Sequence, residues 1–164
     1  MVFWGCGNFQ RKDKNMKKLI ALLLLSPLAF AEKNEMISLP EYVSIHQDNL
    51  DTEKSLYITY RCIALFSAMP GILENDKSDE TRELIDRMMT AQESIMVASR
   101  KFHEELFNSS NEEYTAEMGQ KILPMAKSYT LESKKSYTNS GENMNEYLFR
   151  EVRTCGIVAK SYSF

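Results

Sequence analysis

The 164-residue chain predicts an all-α fold: an antiparallel, up-down four-helix bundle behind a cleaved signal peptide. Three observations carry that expectation. Apolar residues recur every three to four positions over four long segments, which is the period of an amphipathic helix. Nothing alternates with period two over a useful length, so no sheet is expected. The segments are joined by short polar connections, which favour antiparallel helical neighbours.

The leader comes first. Lys17 and Lys18 precede the apolar run 19–30, LIALLLLSPLAF, which ends in Ala29-Phe30-Ala31 before Glu32. A basic start, a short apolar core and a small-x-small end form a secretory signal peptide. A dozen apolar residues fall short of the roughly 20 that span a bilayer. Cleavage is expected between Ala31 and Glu32, so residues 1–31 are read as leader, with Met16 a plausible natural start. No stable membrane anchor is expected after cleavage. The location that follows is periplasmic or secreted.

Residues 32–50 show no clear period and are expected to be irregular, broken by Pro40, with at most a helical turn near Glu41 to Ser44. Residues 51–160 then form a single helical domain, and 161–164 a tail. The first long helix is expected over about 51–69, started by Asp51-Thr52-Glu53 and stopped by Pro70-Gly71. It is apolar nearly all round, which marks a central, buried helix. The second is expected over 79–107 behind Ser78, with a seam of Leu84, Met88, Ala91, Ile95, Ala98 and Phe102. The third begins with a capping box at Ser110 and Glu113. Its seam is Met118, Ile122, Met125 and Tyr129; Pro124 inside it is expected to kink the helix or break it just before, and Asn139-Ser140-Gly141 ends it. The fourth is expected over about 142–160, with Met144, Leu148, Val152, Cys155 and Ala159 on one face.

The mature chain would hold 133 residues. Removing the leader's five basic residues and one acid leaves 15 basic and 22 acidic side chains, a net charge of −7. This length can bury a core without help from metals. The acidic balance argues against nucleic acid as a partner.

Two cysteines remain after cleavage, Cys62 and Cys155. An even number in an oxidising compartment favours a disulfide, and two thiols allow one intramolecular pairing. Both lie on apolar helical faces, in the first and last long helices. No CxxC is present and no histidine neighbours either thiol, so redox and metal roles are not expected.

Candidate chemistry is sparse. Of the two histidines, His46 falls in the irregular segment, and His103, beside Glu104 and Glu105, reads as part of a solvated polar face. HExxH, CxxCH, a glycine-rich phosphate loop and GxSxG are all missing from the sequence. The methionines, Met88, Met118 and Met125 among them, read as core filler rather than a thioether site for Cu(I). A small repeat, KSY[TS], occurs at Lys127-Ser128-Tyr129-Thr130, Lys135-Ser136-Tyr137-Thr138 and Lys160-Ser161-Tyr162-Ser163. It reads as a product of composition; the functional alternative is a tyrosine-lined partner groove. No catalytic residue, cofactor or metal ligand is therefore expected, and the chain is read as a non-enzyme. The functional expectation is an envelope interaction protein (an adaptor, inhibitor or chaperone-like binder) with a protein partner. The alternative is a carrier holding a small ligand or metal inside the bundle. A large internal cavity with converging polar groups would favour the carrier; a filled core with an exposed apolar groove would favour the binder.

Overall fold

A computed structural model describes residues 36–162. The leader, its Ala31–Glu32 cleavage site, Met16 and the end of the tail lie outside the described residues. The described helices are α1 (Leu39–His46), α2 (Thr52–Ile72), α3 (Asp79–Phe107), α4 (Asn111–Ser140) and α5 (Glu146–Tyr162), with one 3-10 turn at Gln47–Asn49. Among the described residues there is no strand, so the chain is all-α.

The helix ends follow from their caps. Asp51 accepts from the Lys54 N–H at 2.8 Å and opens α2. Ser78 accepts from the Thr81 N–H at 3.2 Å and opens α3. At α4 the full capping box forms, with Ser110 Oγ on the Glu113 N–H and the Glu113 carboxylate on the Ser110 N–H. Gly141, at φ 76°, closes α4 in the left-handed conformation that costs glycine nothing.

Four boundaries differ from the sequence expectation. Pro40 does not break the N-terminal segment; it sits in the first turn of α1, where a missing N–H is no loss, behind Ser38 as cap. Pro70 does not stop α2, which continues to Ile72 and closes with the Leu73 N–H on the Met69 carbonyl at 2.9 Å. Burial of Ile72 holds that last turn in place. Pro124 likewise leaves α4 unbroken from Asn111 to Ser140. Helix α5 begins at Glu146 rather than Glu142, because Asn145 supplies the cap: its Oδ1 accepts from the Leu148 N–H at 3.0 Å.

Helix α2 is the hub. Thirteen of its 21 residues are buried, and it packs against α1, α3, α4 and α5. An up-down ring would set α2 and α4 at diagonal corners. Here, among the four long helices, α2 meets α4 nearly as extensively as α3, whereas the successive pairs α3/α4 and α4/α5 meet least. A helix that is apolar on every side needs a neighbour on every side, and that requirement outweighs chain order.

The stripe that α3 buries keeps Met88, Ile95 and Ala98 of the expected seam and adds a polar side to it. Leu84 is exposed, while Thr81, Met88, Gln92, Ile95, Ser99 and His103 are buried. Gln92 reaches Ser67 on α2 at 2.9 Å, so part of this interface is polar. On α4 the expected seam holds and extends: Met118, Ile122 and Met125 pack with Phe102 around Leu56, Tyr60 and Tyr114, and Met88 is buried on α3. These methionines fill the core.

Candidate functional site

A buried polar network lies within the apolar core. Arg61 on α2, Tyr129 on α4 and Glu151 on α5 are fully buried and bonded to one another. The Arg61 Nε–H donates to Tyr129 Oη at 2.8 Å, Nη2 donates to Glu151 Oε2 at 2.6 Å, and Tyr129 Oη donates to the same oxygen at 2.6 Å. Nη1 also reaches the Ile37 carbonyl at 3.0 Å and Tyr57 Oη at 3.4 Å, and Nη2 reaches Tyr147 Oη at 3.5 Å. Each of the five guanidinium N–H groups therefore has an acceptor. The other Glu151 oxygen accepts from the Leu39 N–H. One network thus holds the segment before α1, α2, α4 and α5 together.

The energetics explain why the set is so complete. Burying an ion pair costs several kcal/mol per ion, offset only where geometry is good and the remaining donors and acceptors are filled. Burial by itself would lower the Arg61 guanidinium, but Tyr129 and Glu151 beside it hold it above the usual arginine range. Burial, reinforced by Glu151, pushes the Tyr129 phenol well up. Tyr147 is pushed up to about 12 by the same two causes in the same order.

Cys62 and Cys155 are joined as a disulfide between α2 and α5, with Cα atoms 5.3 Å apart. Cys62 follows Arg61 directly, and Cys155 lies one turn beyond Glu151, so bond and ion pair are successive ties between the same two helices. The cysteines were visible in the sequence as a pair. The ion pair was not singled out, although two signals carried it: Arg61 is the one charge within the apolar stretch 55–73, and Glu151 shares a helical face with Leu148, Cys155 and Ala159.

Two further expectations change. Tyr129, the first tyrosine of the repeat, is buried in the network and cannot line a surface groove; Tyr137 is exposed and lines a cleft of about 420 Å³ with Ile72 of α2, Asn75 of the connection after it and Ser133 of α4. His103 is not solvated. It is buried at the α3–α4 turn, between the rings of Phe107 and Tyr114 at 4.8 and 5.4 Å, with its two ring nitrogens on Ser109 and Glu117. Its neighbours Glu104 and Glu105 do face solvent.

The surface carries apolar groups as well. A cleft of about 210 Å³ between α3 and the last turn of α5 is lined by Ser94, Val97, Ala98, Lys101, Phe102 and Tyr162. Val97 is 60% exposed there, and Phe149 and Ile157 on α5 are exposed to the same degree. Among the described residues no group of three or more His, Cys, Asp or Glu side chains is placed to hold a metal ion, and no helix is long and apolar enough to cross a membrane. Compared with protein-family models, curated proteins and solved structures, the chain matches none.

Proposed function

We propose that this chain is an exported helical-bundle protein of the cell envelope that acts by binding a protein partner through its helical surface. The observation that carries this reading is the contrast between centre and surface. Arg61, Tyr129 and Glu151 satisfy one another and fill the place an interior ligand would need. Apolar side chains such as Val97, Phe149 and Ile157 are left outside. A filled core beside an exposed apolar cleft supports a binder over a carrier. The disulfide supports an oxidising compartment, and the apolar run before Ala31 supports export into it.

The test is capture from envelope extract with the mature, oxidised protein as bait, run in parallel with Val97→Glu. A charge at the mouth of the α3/α5 cleft should remove the captured partner while the melting temperature stays within a few degrees. Equal capture by both baits would overturn the role given to this surface. Export is tested separately: N-terminal sequencing of native material should begin at Glu32, and a cytosolic protein with both thiols reduced would overturn it.

A further inference from the structure

The α3–α4 turn brings together three side chains that the sequence keeps apart. Glu117 Oε2 lies 3.0 Å from His103 Nε2. A carboxylate only accepts, so in the neutral ring Nε2 carries the proton and Nδ1 presents a lone pair. Nδ1 is hydrogen-bonded to Ser109 Oγ, which makes the serine hydroxyl the donor. The result is a chain of hydroxyl, imidazole and carboxylate in which each group orients the next.

The surroundings suit this arrangement to chemistry. The imidazole is buried and held by the rings of Phe107 and Tyr114, while Ser109 is half-buried and opens on a polar cleft of about 210 Å³. The same cleft is lined by Arg100, Glu104, Ser110, Asn111 and Tyr114. Ser109 follows Asn108, which holds the left-handed conformation at φ 49° and swings the chain out of α3. The first turn of α4 borders the cleft. Its capping box engages the N–H groups of Ser110 and Glu113, and Asn111, which lines the cleft, is in the first turn at the positive end of the helix, where N–H groups lack intrahelical acceptors.

We propose that Ser109 is a nucleophile, activated by His103 as general base with Glu117 as its positioning residue, and that the cleft hydrolyses small, neutral carboxylic esters. Ser109 Oγ attacks the ester carbonyl carbon and its proton passes to His103 Nδ1. Charge developing on the carbonyl oxygen is met by the N–H of Asn111 at the start of α4. The carbon–oxygen bond to the alcohol breaks, and His103 returns the proton to the departing oxygen. Solvent water then attacks the acyl-serine by the same route, releasing the acid and restoring the hydroxyl. The net change is ester plus water to acid plus alcohol. Arg100 and Glu104 together give the cleft no excess charge, which is why a neutral ester is assigned, and its volume limits the acyl group to a short one. This inference is independent of the partner surface on α3 and α5, and the two fail separately.

The test uses the mature, oxidised protein with a fluorophosphonate probe and with p-nitrophenyl acetate. The probe should form one adduct, mapped to Ser109 by mass spectrometry, and Ser109→Ala should lose both adduct and turnover. Turnover in His103→Gln should fall about 10²- to 10⁴-fold, the usual share of a general base. Glu117→Gln should lower turnover and move its pH profile, and Glu117→Asp should restore part of it. Wild-type protein without an adduct at Ser109 overturns the proposal, whatever the buried His103 variant does to folding. So does ester turnover that survives Ser109→Ala.

Discussion

Arg61 shows what one residue can hold. Its five N–H groups serve α2, α4, α5 and the segment before α1. Arg61→Met should therefore do more than remove a charge: it leaves Glu151 buried without its partner. Loss of one partner of a buried pair costs about 3–5 kcal/mol, and urea unfolding of the oxidised protein should show a loss of that order. A change below about 1 kcal/mol would show that solvent reaches the pair. The phenols around it set the alkaline limit. Tyr147 moves from 10.0 to about 12 on folding, and Tyr129 moves in the same direction. The unfolded chain thus gives up these protons first. Stability is full below pH 10, falls as pH rises through 12, and should be followed by melts across that range. Tyr147→Phe should make the fall shallower; an unchanged slope would place the alkaline transition elsewhere.

At the scale of the element, local signals and packing divide the work. The start of α3 at Asp79 and the ends of α4 at Asn111 and Ser140 lie where capping residues put them, since a cap is chosen within one turn of chain. The face that α3 buries was readable only in part: Met88, Ile95 and Ala98 of the seam are buried. Leu84 belongs to the cleanest apolar seam yet is exposed, and Ser99 and His103 are buried, because partners on α2 and α4 decide which stripe turns inward. Helix α5 depends on Asn145 twice: it caps the Leu148 N–H, and its Nδ2 donates to Glu132 on α4 at 2.7 Å. Asn145→Ala should cost about 1 kcal/mol or somewhat more, the usual range for a lost cap. Amide exchange should rise first at Leu148; protection that is unchanged there would contradict the cap.

For the whole molecule the covalent tie matters most. The Cys62–Cys155 bond spans a sequence separation of 93 residues. Closing a loop of that length stabilises by about 4–5 kcal/mol in the chain-entropy account, against a total of about 5–15 kcal/mol for a domain of this kind. Cys155→Ser should lower the melting temperature sharply and leave the helical circular dichroism intact. A melting temperature unchanged by the substitution would mean that the ion pair and the core already hold α5 without the bond. Combined with Arg61→Met, the losses should not simply add, because both ties join the same stretch of α2 to the same stretch of α5.

The sequence by itself determined the class of structure, the number of long helices, most of their ends and the pairing of the two thiols. Each of these rests on a short-range rule of period, cap or count. Only the tertiary structure decided that α2 touches every other described helix, that Glu151 finds Arg61 ninety residues away, and that Ser109 and Glu117 meet on a buried His103. Those outcomes depend on which faces meet across the chain. A polar side chain on an apolar stripe reads the same in sequence whether water or a distant partner will satisfy it.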